Sequence, residues 1–477
     1  MSESPKPADA LRTLPERAFR ARARLVAGVF CLVCCGLAVR LLFLQVLGGG
    51  WYTDRALGQQ LRDIVVPADR GRIYSADGVL LAANSSCWTL RASPREMPED
   101  KLALAAKGLA EILELDEGKL LEKFSDRHSN DCLLRYRVDR VMADAVRDFC
   151  EANGITGIRI DQDSKRWYPQ GEFLASVLGF TNVDNAGVSG LELKYDDLLT
   201  GENGVVLTAV NAWGYTLEQS YETERFPTEG DGLRLTIDAN IQHYLENALG
   251  YAVKEHHVAA RAVGIVMDVN TGGIVAMASY PNYDPGDFST IYTEGLQAEL
   301  DAALAEIQQN RSTYETEEAY NQALANARAT IQFKQWRNKC YQDTYEPGST
   351  FKPITLATAL EEGVVNMNTT FTCTGSIHVE GWGKAINCSK RAGHGTQTLK
   401  VATGNSCNPA FVTMGLKIGT EAYYRYLKSF GLMETTGIDL PAEAEGIFAN
   451  EDSFNSNVVS LAAYSFGQTF NVTPLEL

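Results

Sequence analysis

The sequence predicts an α+β protein in three parts: an N-terminal transmembrane helix, an elongated mixed α/β segment, and a C-terminal domain with an antiparallel sheet flanked by helices. Three observations carry this. A 23-residue apolar stretch follows a basic N-terminus, short β-like and helical runs alternate from Trp51 to about Arg225, and a helix followed by a hairpin begins after a Gly/Glu-rich break. A chain of 477 residues suggests two or three domains with sizeable cores. Its 45% hydrophobic and 22% charged residues, with only 15 prolines, are the composition of a folded chain. The formal charge of −17, from 43 Lys+Arg against 60 Asp+Glu, argues against a generic nucleic-acid binder. Ten cysteines are too sparse for a disulfide scaffold.

Residues 1–24 carry Lys6, Arg12, Arg17, Arg20, Arg22 and Arg24 against Glu3, Asp9 and Glu16. Leu25 to Val39 is uninterrupted and apolar, Arg40 intervenes, and Leu41 to Leu47 completes the stretch. As a helix, 23 residues span about 34 Å, enough for a hydrocarbon core of ~30 Å. Arg40 lies near the far end, where it can snorkel to the headgroups. The expected organisation is a cytoplasmic tail over 1–24 and a single-pass anchor over 25–47, with about 430 residues outside the membrane. Two processing alternatives fit less well. Cleavage after Gly36-Leu37-Ala38 leaves a second apolar run, and the cysteines at 31, 34 and 35 lack the small residue a lipoprotein box needs before Cys35. A buried core helix is disfavoured because the run is apolar all round.

Residues 48–225 read as the first exported domain. Arg70-Gly71-Arg72-Ile73-Tyr74 and Val79-Leu80-Leu81 form two strands around Asp77-Gly78, and Leu102 to Leu121 has helical periodicity. Glu222 to Leu233, with Pro227, Gly230 and Gly232, marks the boundary to a second domain over 226–477. There a helix runs to about Val253, followed by a hairpin of Ala262–Met267 and Ile274–Ala278 around Asn270-Thr271-Gly272-Gly273. Residues 294–335, rich in Ala, Glu and Gln, read as an inserted helical hairpin that carries no chemistry.

The chemical signal lies further on. Pro347-Gly348 breaks the chain just before Ser349-Thr350-Phe351-Lys352, and Ile354 to Glu362 reads as a helix closed by Gly363. Ser349 therefore falls at a helix N-terminus, where orphan N–H groups and the dipole favour an alkoxide. The i,i+3 spacing sets Lys352 beside it, so a desolvated lysine can act as base. A chain of this length contains about two S-x-x-K matches by chance, so a second element is required. Ser406-Cys407-Asn408 and Ser453-Phe454-Asn455 both fit S-x-N. The first is preferred because it lies between helix-like segments with an apolar face; Ser453, in an acidic loop, reads as a capping serine.

These residues, with Gly393-His394-Gly395, Arg166-Trp167-Tyr168-Pro169, Gly190-Leu191-Glu192, Leu235-Thr236-Ile237-Asp238, Ile241-Gln242, Gly467-Gln468 and Val472-Thr473-Pro474-Leu475, resemble in order and spacing the class B penicillin-binding proteins. That family consists of peptidoglycan transpeptidases of the bacterial cell membrane. Leu174 to Phe180 and Asp184-Asn185-Ala186-Gly187 look most like its division and sporulation branch, that of stage V sporulation protein D. The resemblance implies that 48–225 is a pedestal, or dimerisation, domain and 226–477 a transpeptidase domain. It implies a serine acyl-enzyme on D-Ala-D-Ala stem peptides: Ser349 as nucleophile, Lys352 as its base, Ser406 as proton relay and Asn408 as a substrate-binding group that also orients Lys352. No metal or organic cofactor is needed. Implied partners are peptidoglycan stem peptides, β-lactams, a membrane glycosyltransferase and division or sporulation proteins, with no nucleic acid.

The family's third sequence, Lys-Thr/Ser-Gly, does not occur in this chain. Asn270-Thr271-Gly272 does not replace it, because it precedes Ser349 and belongs to the hairpin. The resemblance therefore implies a chain that is incomplete at its C-terminus, and inactive without the strand that completes the oxyanion hole. Two further readings stand beside the transpeptidase: an inactive homologue that serves as a cell-wall scaffold, and a β-lactam sensor or β-lactamase, which lacks the pedestal pattern.

Cys373 and Cys388 close a 16-residue loop in the exported part. A disulfide there is worth ~3 kcal/mol in the chain-entropy model. Two free thiols, or a zinc site made with His378 and His394, are the alternatives, the last at a spacing that fits no common zinc pattern. Cys407 reads as a small packing residue and His256-His257 as an exposed loop pair.

Overall fold

The computed structural model describes residues 16–44, 61–209 and 223–477, which fall into two compact units. The first comprises the described parts of Met1–Val66 and Asn203–Pro227. In it, helix α1 (Glu16–Leu42) includes a 23-residue stretch, Arg20–Leu42, of mean hydropathy 2.5 with none of its most apolar window buried. Length and polarity suit a membrane crossing, and residues 45–47 of the expected anchor lie outside the described residues. Strand β1 (Leu61–Val66) pairs antiparallel with a later strand, Gly204–Ala209, in the register Leu61↔Ala209 to Val66↔Gly204.

The second unit comprises Pro67–Glu202 and Thr228–Leu477. Its first half is built on β2 (Ile73–Tyr74) and the long β3 (Leu80–Ala92), joined by a turn in which Ser75 Oγ donates to Asp77 at 2.5 Å and Gly78 takes φ +87°. Three helices follow in sequence with two more strands: α2 (Leu102–Leu113), α3 (Glu117–Ser125), β4 (Cys132–Val138), α4 (Arg140–Asn153) and β5 (Ile158–Trp167). β3 pairs with β5 over ten residues, Ala83↔Trp167 to Ala92↔Ile158, and with β4 on its other side. Leu90, Leu109, Leu113, Phe124 and Val146 fill the layer between sheet and helices.

The single helix expected over Leu102–Leu121 is in fact two. Glu114 adopts a left-handed conformation at the end of α2, and the Asp116 carboxylate accepts the N–H of Lys119 at 2.8 Å to start α3. An aspartate that caps the backbone outcompetes continuation of the helix, although the apolar period runs through the break.

The paired motifs of this half converge on one buried carboxylate. Glu192, fully buried, accepts from Arg70 Nε and from Arg166 Nε, each at 2.6 Å, while Arg70 Nη1 reaches Asp196 at 2.7 Å. One charged group thus ties together segments some 120 residues apart. The remaining strands are β6 (Gly204–Ala209) and β7 (Thr223–Arg225), both of the first unit, and β8 (Leu233–Arg234), which runs parallel to β2.

Helix α5 (Ala239–Glu255) is capped by Asp238 and packs on the hairpin β9 (Ala262–Met267) and β10 (Ile274–Tyr280). Gln242 is the clamp: its side chain accepts from Met277 N at 2.7 Å and donates to Met277 O at 2.9 Å, so it bonds a strand residue as a neighbouring strand would. Asn270 and Thr271 sit in the hairpin turn, both bonded to Asp268. The insertion folds as α6 (Glu294–Gln309) and α7 (Glu317–Trp336), turning at Arg311–Thr313 as expected.

The last part is mainly helical. Helix α8 (Lys352–Glu361) is followed by four short strands, β11 (Thr370–Cys373), β12 (Ser376–Ile377), β13 (Ile386–Asn387) and β14 (Gly395–Thr398), paired β11 with β14 and β12 with β13. Five helices complete it: α9 (Leu399–Gly404), α10 (Asn408–Ile418), α11 (Thr420–Ser429), α12 (Glu451–Asn455) and α13 (Val458–Tyr464). Phe351, Phe411 and Phe454 are completely buried in its core. Each contributes about 1.5–3 kcal/mol by the area it withdraws from water.

Candidate active site

Ser349 lies in a 3-10 turn, Gly348–Phe351, that leads into α8. It thus precedes the α-helix by one tight turn, where the sequence placed it at the N-terminus itself. In a 3-10 turn residues i and i+3 eclipse, so Lys352 stands directly over Ser349. Lys352 Nζ is 3.0 Å from Ser349 Oγ. The turn is held from below. Gly348 N–H donates to the Gly467 carbonyl at 2.7 Å, and Gly467, at φ +83°, approaches so closely that a Cβ there would come within 1.8 Å of the Gly348 oxygen. Phe351 packs edge-on against Phe470, their centroids 4.6 Å apart.

The opposing wall is the turn between α9 and α10. Ser406 has φ +47°, Cys407 is the N-cap, and Asn408 is the first residue of α10. That left-handed kink turns the side chains and a backbone carbonyl toward the lysine. Nζ lies 2.9 Å from Ser406 Oγ, 2.9 Å from Ser406 O and 2.7 Å from Asn408 Oδ1. Asn408 Nδ2 in turn donates to the Asn387 carbonyl at 2.9 Å, which fixes the orientation of the amide.

Lys352 has four oxygen neighbours and is only 3% exposed. An ammonium offers three N–H bonds; a neutral amine offers two and a lone pair. Ser406 O and Asn408 Oδ1 can only accept, whereas the two serine hydroxyls can also donate. The contacts serve both forms: an ammonium donates to three of the four oxygens, and a neutral amine donates to the carbonyl and the amide and accepts from a hydroxyl. Burial pushes Lys352 down to about 8, and the nearby Cys388 and Cys407 sulfurs hold it back only partly. Among the described residues no carboxylate pairs with it.

Ser453 and Asn455, the other S-x-N pair, belong to the short helix α12, whose N-terminus Asn450 caps by accepting the Ser453 N–H at 2.9 Å. They make none of the Lys352 contacts. His256 and His257 are exposed at the end of α5. Cys373 and Cys388 come together as free thiols, joined by His394 and by Cys407, which the sequence reading treated as packing. His378 is not in this group. The sequence signal for Cys407 was its place inside Ser406-Cys407-Asn408, which obliges it to lie wherever that turn meets the loop. Also unforeseen was Thr355, which bonds Tyr423 at 2.7 Å and the Ser465 carbonyl at 3.0 Å, tying α8 to its neighbours beneath the site.

Comparison with known proteins follows this geometry. Residues 262–477 match the penicillin binding protein transpeptidase domain, and residues 65–235 the penicillin-binding protein dimerisation domain. Stage V sporulation protein D of Bacillus subtilis is 32% identical over 438 residues, covering 92% of this chain and 60% of that protein. Peptidoglycan D,D-transpeptidase FtsI of Escherichia coli is 27% identical over 461 residues, covering 96% of this chain and 69% of the other. The chain thus spans 60–69% of the length of these relatives. Among solved structures, the complex between penicillin-binding protein PBP2 and MreC from Helicobacter pylori matches 87% of this chain and 76% of that chain, with a TM-score of 0.64 at 22% identity. Penicillin-binding protein 2X from Streptococcus thermophilus matches 87% of this chain and 58% of that one, with a TM-score of 0.58 at 22% identity. At such identity these two likenesses concern the fold.

Proposed function

The chain belongs to the class B penicillin-binding proteins, and from that membership and the contacts around Lys352 we propose that it is a serine D,D-transpeptidase of peptidoglycan. The observation that carries the proposal is a single nitrogen within 3.0 Å of both Ser349 Oγ and Ser406 Oγ, buried and with no carboxylate against it among the described residues. Ser349 Oγ attacks the carbonyl of the penultimate D-alanine of a stem peptide, and its proton passes to the neutral Lys352. Ser406 hands that proton to the departing D-alanine amine, leaving an ester on Ser349. An amine from a neighbouring stem then attacks the ester, loses its proton along the same path and frees the serine. Asn408 holds Lys352 on one side and offers its amide to the substrate on the other.

The remaining assignments belong to the same proposal. Residues 1–24 form a cytoplasmic tail, 25–47 the anchor, 48–225 the pedestal and 226–477 the transpeptidase domain with the insertion 294–335. The basic flank before the apolar run that starts at Leu25 favours an N-terminus inside the cell and a catalytic domain outside. The similarity to a sporulation and a division protein supports a role in one of those processes, beside a glycosyltransferase that supplies glycan strands.

The test is covalent labelling by a fluorescent penicillin in membranes, made on a chain that also carries the Lys-Thr/Ser-Gly strand of the family, with the labelled peptide identified by mass spectrometry. Label is expected on Ser349 and absent from Ser349→Ala. Label retained in that variant overturns the nucleophile assignment, and no label on a folded wild-type chain favours the scaffold reading.

A further inference from the structure

Four metal-ligating side chains that the acyl-transfer chemistry does not use come together beside Asn408. Cys373 ends β11, Cys388 follows β13, His394 precedes β14 and Cys407 caps α10. One atom from each lies within 4.8 Å of all the others. Cys388 Sγ is 4.0 Å from Cys407 Sγ and 3.4 Å from His394 Nδ1. All three cysteines are at most 2% exposed.

We propose that Cys373, Cys388, His394 and Cys407 form a tetrahedral Cys3His site for Zn2+ that fastens the 373–395 loop to the turn carrying Ser406 and Asn408. With Zn–S near 2.3 Å and Zn–N near 2.0–2.1 Å, the edges of such a tetrahedron are roughly 3.5–3.8 Å. The Cys388–Cys407 and Cys388–His394 separations are within a few tenths of an ångström of these edges, and separations of up to 4.8 Å elsewhere in the group need to close by about 1 Å. Three thiolates and an imidazole are soft and borderline donors, which select zinc over magnesium or calcium. The loop is also shaped to keep the four together: Gly393 has φ +79°, and a Cβ there would come within 2.3 Å of the Cys373 carbonyl.

The location gives the site its role. Cys407 lies between Ser406 and Asn408, and Asn387, whose carbonyl takes the Asn408 amide at 2.9 Å, directly precedes Cys388. A metal bound at 388 and 407 fixes both ends of that hydrogen bond. Capture of Zn2+ by three thiols releases three protons to solvent. The same Cys373 and Cys388 thiols can instead give up two electrons and two protons to an external disulfide and join to each other, with that disulfide reduced to two thiols. Metal and disulfide are then exclusive states of one pair.

The test uses the full chain in detergent, reduced, stripped with a chelator and titrated with Co2+ and then Zn2+. One Co2+ per chain is expected, with a thiolate-to-cobalt charge-transfer band in the near ultraviolet and the intense visible bands of tetrahedral cobalt, bleached by one equivalent of Zn2+. Cys388→Ser should weaken zinc binding by roughly 100-fold or more. His394→Cys should keep the metal with a stronger charge-transfer band, and His378→Ala should change nothing. In the wild type, Zn2+ should protect Cys373, Cys388 and Cys407 from alkylation as read by mass spectrometry, a result that does not depend on any variant folding. The proposal is overturned by reduced wild-type chain that takes up no stoichiometric metal, by a weak octahedral cobalt spectrum, by undiminished binding in Cys388→Ser, or by a Cys373–Cys388 disulfide whose reduction yields a chain indifferent to zinc. None of these readouts involves acylation, so failure here and failure of the transpeptidase reading are separable.

Discussion

Arg70 in the first half of the larger unit and Lys352 in the second are equally withdrawn from solvent, each 3% exposed, yet they are neutralised in opposite ways. Arg70 meets two carboxylates, Glu192 at 2.6 Å and Asp196 at 2.7 Å, and Glu192 is shared with Arg166. Lys352 meets two hydroxyls, a carbonyl and an amide oxygen, and no carboxylate among the described residues. A guanidinium held between carboxylates serves as a fixed tie. An amine buried among neutral oxygens is held near neutrality, where it can take and return a proton. Under the proposed function, burial of a cation marks structure in one place and chemistry in the other, and the partner's charge tells which.

Substitutions at the two cations should separate these roles. Lys352→Ala should slow acylation of Ser349 by about 10²–10⁴-fold, the usual worth of a positioned base, with little change in the unfolding midpoint. Stopped-flow or gel-based labelling measures it, and acylation at the wild-type rate breaks the contrast. Glu192→Ala should do the reverse. It takes the described carboxylate from the buried Arg166 and leaves Arg70 with Asp196 alone, and should cost about 3–5 kcal/mol of stability, read as a lower denaturation midpoint, while molecules that remain folded still acylate. Replacing Glu192 without loss of stability would show that the ring of charges is not the tie it is taken to be. The smallest effect is expected far from both. Asn450→Ala removes the cap of α12 and should cost ~1 kcal/mol without altering the labelling rate.

The same contrast explains what could be read from sequence. Ser349 and Lys352 are local: three residues apart in a short turn, they meet whatever the rest of the chain does, so their pairing was legible. The apolar run of α1 was legible for the same reason. Ser406 and Asn408 were identified as a motif, but their distances to Lys352 depend on a tertiary return across 54 and 56 residues. The charged tie was invisible, because Arg70 and Glu192 are separated by 122 residues and nothing local couples them. The break between α2 and α3 was missed because hydrophobic period and helix continuity usually coincide, and here the Asp116 cap parts them. Cys407 packs in the core as its apolar surroundings suggested, but that three more ligating side chains lie around it depends on the fold and was not legible.

The most direct measurement is the rate of Ser349 acylation by a fluorescent penicillin as a function of pH, in a chain that also carries the Lys-Thr/Ser-Gly strand. Burial holds Lys352 down at about 8, so the neutral amine is the minor form below that pH and the major form above it. Only the neutral form accepts the serine proton. The rate is expected to climb by up to about tenfold per unit below pH 8 and to level off above it, with the climb gone in Lys352→Ala. A rate that stays flat through pH 8 in the wild type, or that climbs identically without Lys352, contradicts the assignment of Lys352 as the base.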